Sequence, residues 1–137
     1  MERRMRILIA DDDPDVREAL KIMLEGTSHH LIFAANGEEV MQSIAEQTPH
    51  LLVLDLLMPK KDGFEVIKEL KADPRYSKIP ILILTSVKKE ASERRYELET
   101  GLALDVDDYV EKPINPRDFI HRVEKILTRA KANQIVT

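Results

Sequence analysis

The sequence contains no cysteine. Disulfides, thiolate metal sites and cysteine nucleophiles are thereby excluded, and the absence agrees with a reducing compartment. An excess of positive charge is missing as well: 21 lysines and arginines face 25 acids, a formal net charge of −4. Non-specific nucleic-acid binding relies on a basic face, so this balance argues against direct nucleic-acid contact. Long apolar runs are also lacking. After Met1-Glu2-Arg3-Arg4-Met5-Arg6, the apolar stretch lasts only from Ile7 to Ala10 before three acids. That is too short for the apolar region of a signal peptide and far too short for a membrane helix, so a soluble, cytoplasmic protein is expected. There is no internal repeat and no low-complexity tract. No Walker-type glycine loop is present, so direct use of ATP is not expected.

What is present is a chain of 137 residues, the length of one domain that buries about two-thirds of its unfolded surface. Its most informative stretch is Leu51-Leu52-Val53-Leu54-Asp55-Leu56-Leu57-Met58-Pro59, followed by Lys60-Lys61-Asp62-Gly63. An apolar run closed by turn residues reads as a strand buried on both faces of a parallel sheet. Asp is depleted within strands, which puts Asp55 at the strand's end.

Similar short runs occur at Arg6 to Ala10, Leu31 to Ala35, Ile81 to Leu84 and Tyr109-Val110. Between them lie helical patterns. Asp13-Pro14 is a helix start, with Asp as N-cap and Pro at the first helical position. Val16, Ala19, Leu20, Met23 and Leu24 follow at helical spacing toward Gly26. Asn36-Gly37 precedes Val40, Ile44 and Ala45; Gly63 precedes Phe64, Val66, Ile67 and Leu70. A charged helix is expected from about Lys89 to Thr100, and a last one after Asn115-Pro116, with Phe119, Ile120, Val123, Ile126 and Leu127 inward.

Five alternations of strand and helix imply parallel strands joined by right-handed crossovers, a three-layer α/β domain with five helices. All strand ends then share one edge, where open α/β sheets bind ligands. Asp11, Asp12, Asp55, Thr85 and Lys112 become candidates for one cleft. Two carboxylates about 5 Å apart repel by about 3 kcal/mol at an effective dielectric near 20, or about two pK units. Gathered acids therefore need positive company, which Lys112 or a divalent cation could supply. Hard oxygen ligands in an open cleft suit Mg²⁺. A carboxylate nucleophile beside a metal, a hydroxyl and a lysine is equipment for phosphoryl transfer.

Four stretches then carry a family likeness: I-L-I-A-D-D-D-P at 7–14, L-L-V-L-D-L-L-M-P-K-K-D-G at 51–63, I-L-I-L-T-S at 81–86 and D-Y-V-E-K-P at 108–113. In this order the chain resembles the receiver domain of bacterial two-component response regulators, over residues 1–130, with 131–137 as a C-terminal tail or the start of a linker. The resemblance implies a flavodoxin-like doubly wound sheet of order 2-1-3-4-5. It implies Asp55 as phosphoacceptor, Asp12 and Asp55 as Mg²⁺ ligands with the Leu57 backbone carbonyl, and Asp11 holding a metal-bound water. Thr85 and Lys112 would sense the phosphate, Tyr109 would be the aromatic switch, and Lys112-Pro113 would be a cis peptide.

The function so implied is a signalling switch. It would take phosphate from a sensor histidine kinase or histidine phosphotransfer protein and act on a downstream output domain or protein, with a phosphorylation-dependent homodimer as a further expectation. Such a protein would catalyse its own phosphorylation and slow dephosphorylation without turning over an external substrate. The other readings are a Mg²⁺-dependent phosphohydrolase and a degenerate receiver that only binds. Two departures stand out. The segment 102–106 lengthens the connection before the last strand by about one helical turn. Leu57 and Val87, at the mouth of the site, are apolar and cannot orient an attacking water. His29, His30, His50 and His121 lack paired metal-ligand spacing and are read as structural or surface residues.

Overall fold

The computed structural model describes residues 4–86 and 106–136, and the side chains of 4–86 and 106–132. Five strands form one sheet: β1 (Arg6–Ala10), β2 (His30–Ala34), β3 (Leu51–Asp55), β4 (Ile81–Thr85) and β5 (Asp108–Glu111). Their spatial order is β2-β1-β3-β4-β5, and every pairing is parallel. Four α-helices are described: α1 (Pro14–Leu24), α2 (Gly37–Glu46), α3 (Gly63–Ala72) and α4 (Pro116–Val136). The expected count was five; the charged helix expected over 89–100 lies outside the described residues, as do Val87 and residues 102–105. Helical backbone also continues through 131–136, where a tail or linker start was expected.

The helices begin where short polar side chains can accept a backbone N–H. Asp13, Asn36 and Asp62 cap α1, α2 and α3, accepting from Asp15, Glu39 and Glu65. Asn115 Oδ1 accepts from Asp118 N at 3.0 Å at the start of α4. The end of α1 differs from expectation: a 3₁₀ turn, Glu25–Thr27, follows it, and Ser28 takes a left-handed φ of 60° before β2. Ala19, assigned inward by spacing, is exposed. The inner stripe of α1 is narrower, with Leu20 and Leu24 buried.

Because side chains alternate along a strand, each central strand feeds two cores. Leu8, Ala10, Leu52, Leu54, Ile81 and Ile83 meet the buried residues of α2 and α3. Ile7, Ile9, Leu51, Val53, Leu82 and Leu84 meet Leu20 and Leu24 of α1 and Phe119, Val123, Ile126 and Leu127 of α4. β3 and β4 are buried along their whole length, as their unbroken apolar runs require. The edge strand β2 is only partly covered, and Phe33 on it is exposed. Register then decides the site. Ala10 pairs with Leu54 and Asp55 with Leu84, so the chain leaves β1, β3 and β4 at one level.

Candidate functional site

At that edge the sheet delivers Asp11 and Asp12 just after β1, Asp55 as the last residue of β3, and Thr85 as the last of β4. Lys112 follows β5, and its backbone N–H donates to the Thr85 carbonyl at 2.7 Å. Asp11, Asp55 and Thr85 are buried, whereas Asp12 is exposed. One carboxylate oxygen from each of Asp11, Asp12 and Asp55 lies within 4.8 Å of the other two. Lys112 Nζ stands 3.0 Å from Asp11 Oδ2 and 3.7 Å from Asp55 Oδ2. The five residues named from sequence are thus gathered at one edge of the sheet, with Lys112 paired to Asp11 and Asp55 and Asp12 beside them.

The electrostatics follow from the burial. Desolvation of Asp55, reinforced by the negative charge of Asp11, pushes its carboxyl up to about 7. The Lys112 ammonium and a hydrogen bond from Leu57 N at 3.3 Å pull the other way and do not cancel that rise. Burial lowers the Lys112 ammonium, but the Asp55 and Asp11 carboxylates outweigh it and hold it above the usual lysine value. Three acids and one lysine leave the cluster short of positive charge.

The donor set fits a hard divalent cation. Carboxylate oxygens are the ligands that Mg²⁺ takes, and Asp12 leaves the cluster open to solvent. Asp11 Oδ2 is buried without an aligned hydrogen-bond donor among the described residues, so its capacity is met only by the ion pair with Lys112.

The acidic turn is held by its own backbone and by α1. Asp13 N donates to Asp11 Oδ1 at 2.9 Å, and Asp11 N donates to Ala34 O at 3.2 Å. Arg17, on the first turn of α1, donates through Nη1 to the Asp11 carbonyl at 2.7 Å. Sequence reasoning missed Arg17. The available signal was its place, since a cation in the first turn of a helix opposes the helix dipole.

The loop after Asp55 is packed just as closely. Lys60 adopts a left-handed φ of 67°. Lys61 O accepts from Gly37 N at 2.9 Å, and Lys61 Nζ reaches both Glu69 carboxylate oxygens at 2.6 and 2.7 Å. Gly63 N donates to Leu56 O at 2.9 Å, and Leu57 is half-buried.

The Lys112-Pro113 peptide is cis. Tyr109 is 47% exposed and lines a cleft with Glu111, Pro113, Asn115, Asp118 and Arg122, a lining that does not include Asp11, Asp12 or Asp55. Among the histidines, His50 Nδ1 accepts from Arg6 N at 2.8 Å and His29 pairs with Glu124 at 2.9 Å. His30 and His121 are exposed. No described helix is long and apolar enough to cross a membrane.

Comparison with known proteins agrees with this geometry. A family profile described as the response regulator receiver domain matches residues 7–124. The response regulator GtcR of Aneurinibacillus migulanus is 38% identical over 124 residues, covering 90% of this chain and 48% of that protein. The alkaline phosphatase synthesis transcriptional regulatory protein PhoP of Bacillus subtilis is 36% identical over 126 residues, covering 92% and 50%. The chain spans about half the length of these curated relatives. Among solved structures, the signal receiver domain of a signal transduction histidine kinase from Syntrophus aciditrophicus superposes with a TM-score of 0.80 at 31% identity, covering 90% of each chain. The receiver domain of the Francisella response regulator 1452 gives 0.78 at 27% identity, covering 92% of this chain and 98% of that one. With the profile spanning most of its length, this chain belongs to the response regulator receiver domain family of two-component systems.

Proposed function

We propose that this chain is a phosphorylatable switch in which Asp55 accepts a phosphoryl group from a phosphohistidine of a sensor kinase or phosphotransfer protein. The observation that carries this reading is the meeting of Asp11, Asp12, Asp55 and Lys112 at the carboxyl edge of the sheet. In the transfer, an ionised Asp55 oxygen attacks phosphorus and the P–N bond breaks. The electron pair leaves with the imidazole nitrogen, which takes up a proton. Positioning and charge neutralisation do most of the work in such a reaction.

Lys112 supplies a fixed positive charge 3.7 Å from the nucleophile's carboxylate. Thr85, one residue beyond the level at which Leu84 pairs with Asp55, supplies a hydroxyl on the neighbouring strand. Asp12, Asp55 and the Leu57 carbonyl would hold Mg²⁺, with Asp11 holding one of its waters. When bound, the ion would neutralise the acids and receive phosphoryl oxygens. Tyr109 would turn inward as Thr85 moves toward the phosphate, biasing an equilibrium that exists without it. The partners would be the kinase or phosphotransfer protein and an output domain or protein, with a homodimer formed on phosphorylation. The half-buried Leu57 side chain would slow hydrolysis of the acyl phosphate, because it cannot orient water.

A hydrolase acting on small phosphates would need a separate general acid or base and a substrate pocket at the cluster, and neither can be named among the described residues. The experiment is intact mass after incubation with acetyl phosphate or phosphoramidate and Mg²⁺. One phosphate adduct, absent in Asp55→Asn, is the expected result. Turnover without an adduct would favour the hydrolase, and no reaction would favour a receiver used only for binding.

A further inference from the structure

We propose that Arg17 is a positioning residue for the metal site, acting through the main chain of the acidic turn. Its Nη1 donates to the Asp11 carbonyl at 2.7 Å, a charge-assisted bond to a neutral acceptor. That carbonyl belongs to the peptide joining Asp11 to Asp12. Holding this peptide plane restrains ψ of Asp11 and φ of Asp12, and with them the directions in which the two Cα–Cβ bonds leave the backbone. The rest of the turn needs the help. Asp11 is anchored by the strand behind it and by Asp13, but Asp12 is exposed. The Arg17 bond therefore stiffens the side of the turn that the neighbouring bonds leave loose.

The location of Arg17 is costly for its own helix, which makes a structural accident a poor account of it. α1 carries Asp15 in its first turn, as the dipole favours, and Arg17 sits two residues later with the opposite charge. The side chain is half-buried and its guanidinium is turned back over the helix start toward Asp11. A planar guanidinium can hold a carbonyl in a fixed direction, which a flexible ammonium does less well.

Two physical effects of Arg17 have opposite signs, and this makes the role testable. A positive charge beside the acids repels an incoming cation, so removing charge alone would tighten Mg²⁺ binding. Ordering the turn pre-organises the ligands, so removing that order would weaken Mg²⁺ binding. The inference is that ordering dominates.

It rests on the metal reading given above, and the test separates the two. Mg²⁺ is titrated calorimetrically into the full chain and into Arg17→Gln and Arg17→Lys, while amide exchange is followed in the metal-free proteins. Absence of Mg²⁺ binding by the unaltered chain would sink the metal reading and with it this inference. Where that chain binds, Arg17→Gln is expected to weaken Mg²⁺ by about tenfold, the scale on which groups behind metal ligands act. Arg17→Lys should show a smaller loss. Amides of residues 11–13 should exchange faster in Arg17→Gln while those of β3 and β4 do not, which a general loss of stability would not produce. Unchanged or tighter Mg²⁺ binding in Arg17→Gln overturns the proposal, as does faster exchange spread evenly over the sheet. Should Arg17→Gln not fold, Arg17→Lys decides by the same titration, with unchanged affinity overturning it.

Discussion

Gly63 and Asp55 approach so closely that a Cβ on Gly63 would lie 2.6 Å from the Asp55 carbonyl oxygen. The Cα of Leu56 would be 2.7 Å away, and neither atom belongs to a side chain that can swing aside. The start of α3 thus packs directly on the backbone that presents the candidate phosphoacceptor. On helix propensity alone, Gly→Ala would stabilise by up to about 1 kcal/mol. Here Gly63→Ala is expected to destabilise by about 2 kcal/mol, the scale of overpacking. Urea unfolding measures the sign directly, and a stabilised variant would contradict the described packing. Gly37→Ala should behave likewise, since its Cβ would collide with the Lys61 carbonyl.

Asp55 predicts an unusual pH dependence. Its folded-state pKa, about 7, lies above the ordinary value of 3.8, so the folded protein binds more protons between those limits. Its contribution to stability is present below about pH 4 and is lost as pH rises through about 7. The full difference is on the order of 4 kcal/mol. In EDTA at pH 8, Asp55→Asn should therefore be more stable than the unaltered chain by about 2 kcal/mol or more. At pH 4 the gain should largely vanish. Urea midpoints at the two pH values provide the check.

Addition of Mg²⁺ should reverse that order. A ligand at 100 times its dissociation constant stabilises the folded state by about 2.7 kcal/mol. Calorimetric unfolding should show the unaltered chain gaining Tm with Mg²⁺, and Asp12→Asn and Asp55→Asn gaining much less. Equal gains in all three proteins would place the ion elsewhere.

Leu57 predicts the lifetime of the phosphorylated form. Its backbone N–H contacts Asp55 Oδ1 while its side chain stays half-buried and apolar. Leu57→Asn gives an attacking water a polar partner without altering the backbone. Dephosphorylation should accelerate by about tenfold, short of the full effect of a positioned general base. Loss of phosphate is followed by intact mass after the donor is removed; an unchanged rate would leave Leu57 without this role.

The sequence by itself determined the alternation of strands and helices, the two-faced burial of β3 and β4, and the caps Asp13 and Asn115. Those features depend on spacing and on side chains acting within a few residues of themselves. The acids and Lys112 were legible too, because a parallel sheet sends every strand end to one edge. Distances across that edge were not. That Lys112 lies nearer Asp11 than Asp55, that burial lifts the Asp55 carboxyl, and that Gly63 admits no Cβ were decided by register and packing between distant segments. Arg17 belongs with these: only the folding of the start of α1 beside the end of β1 gave its guanidinium the Asp11 carbonyl.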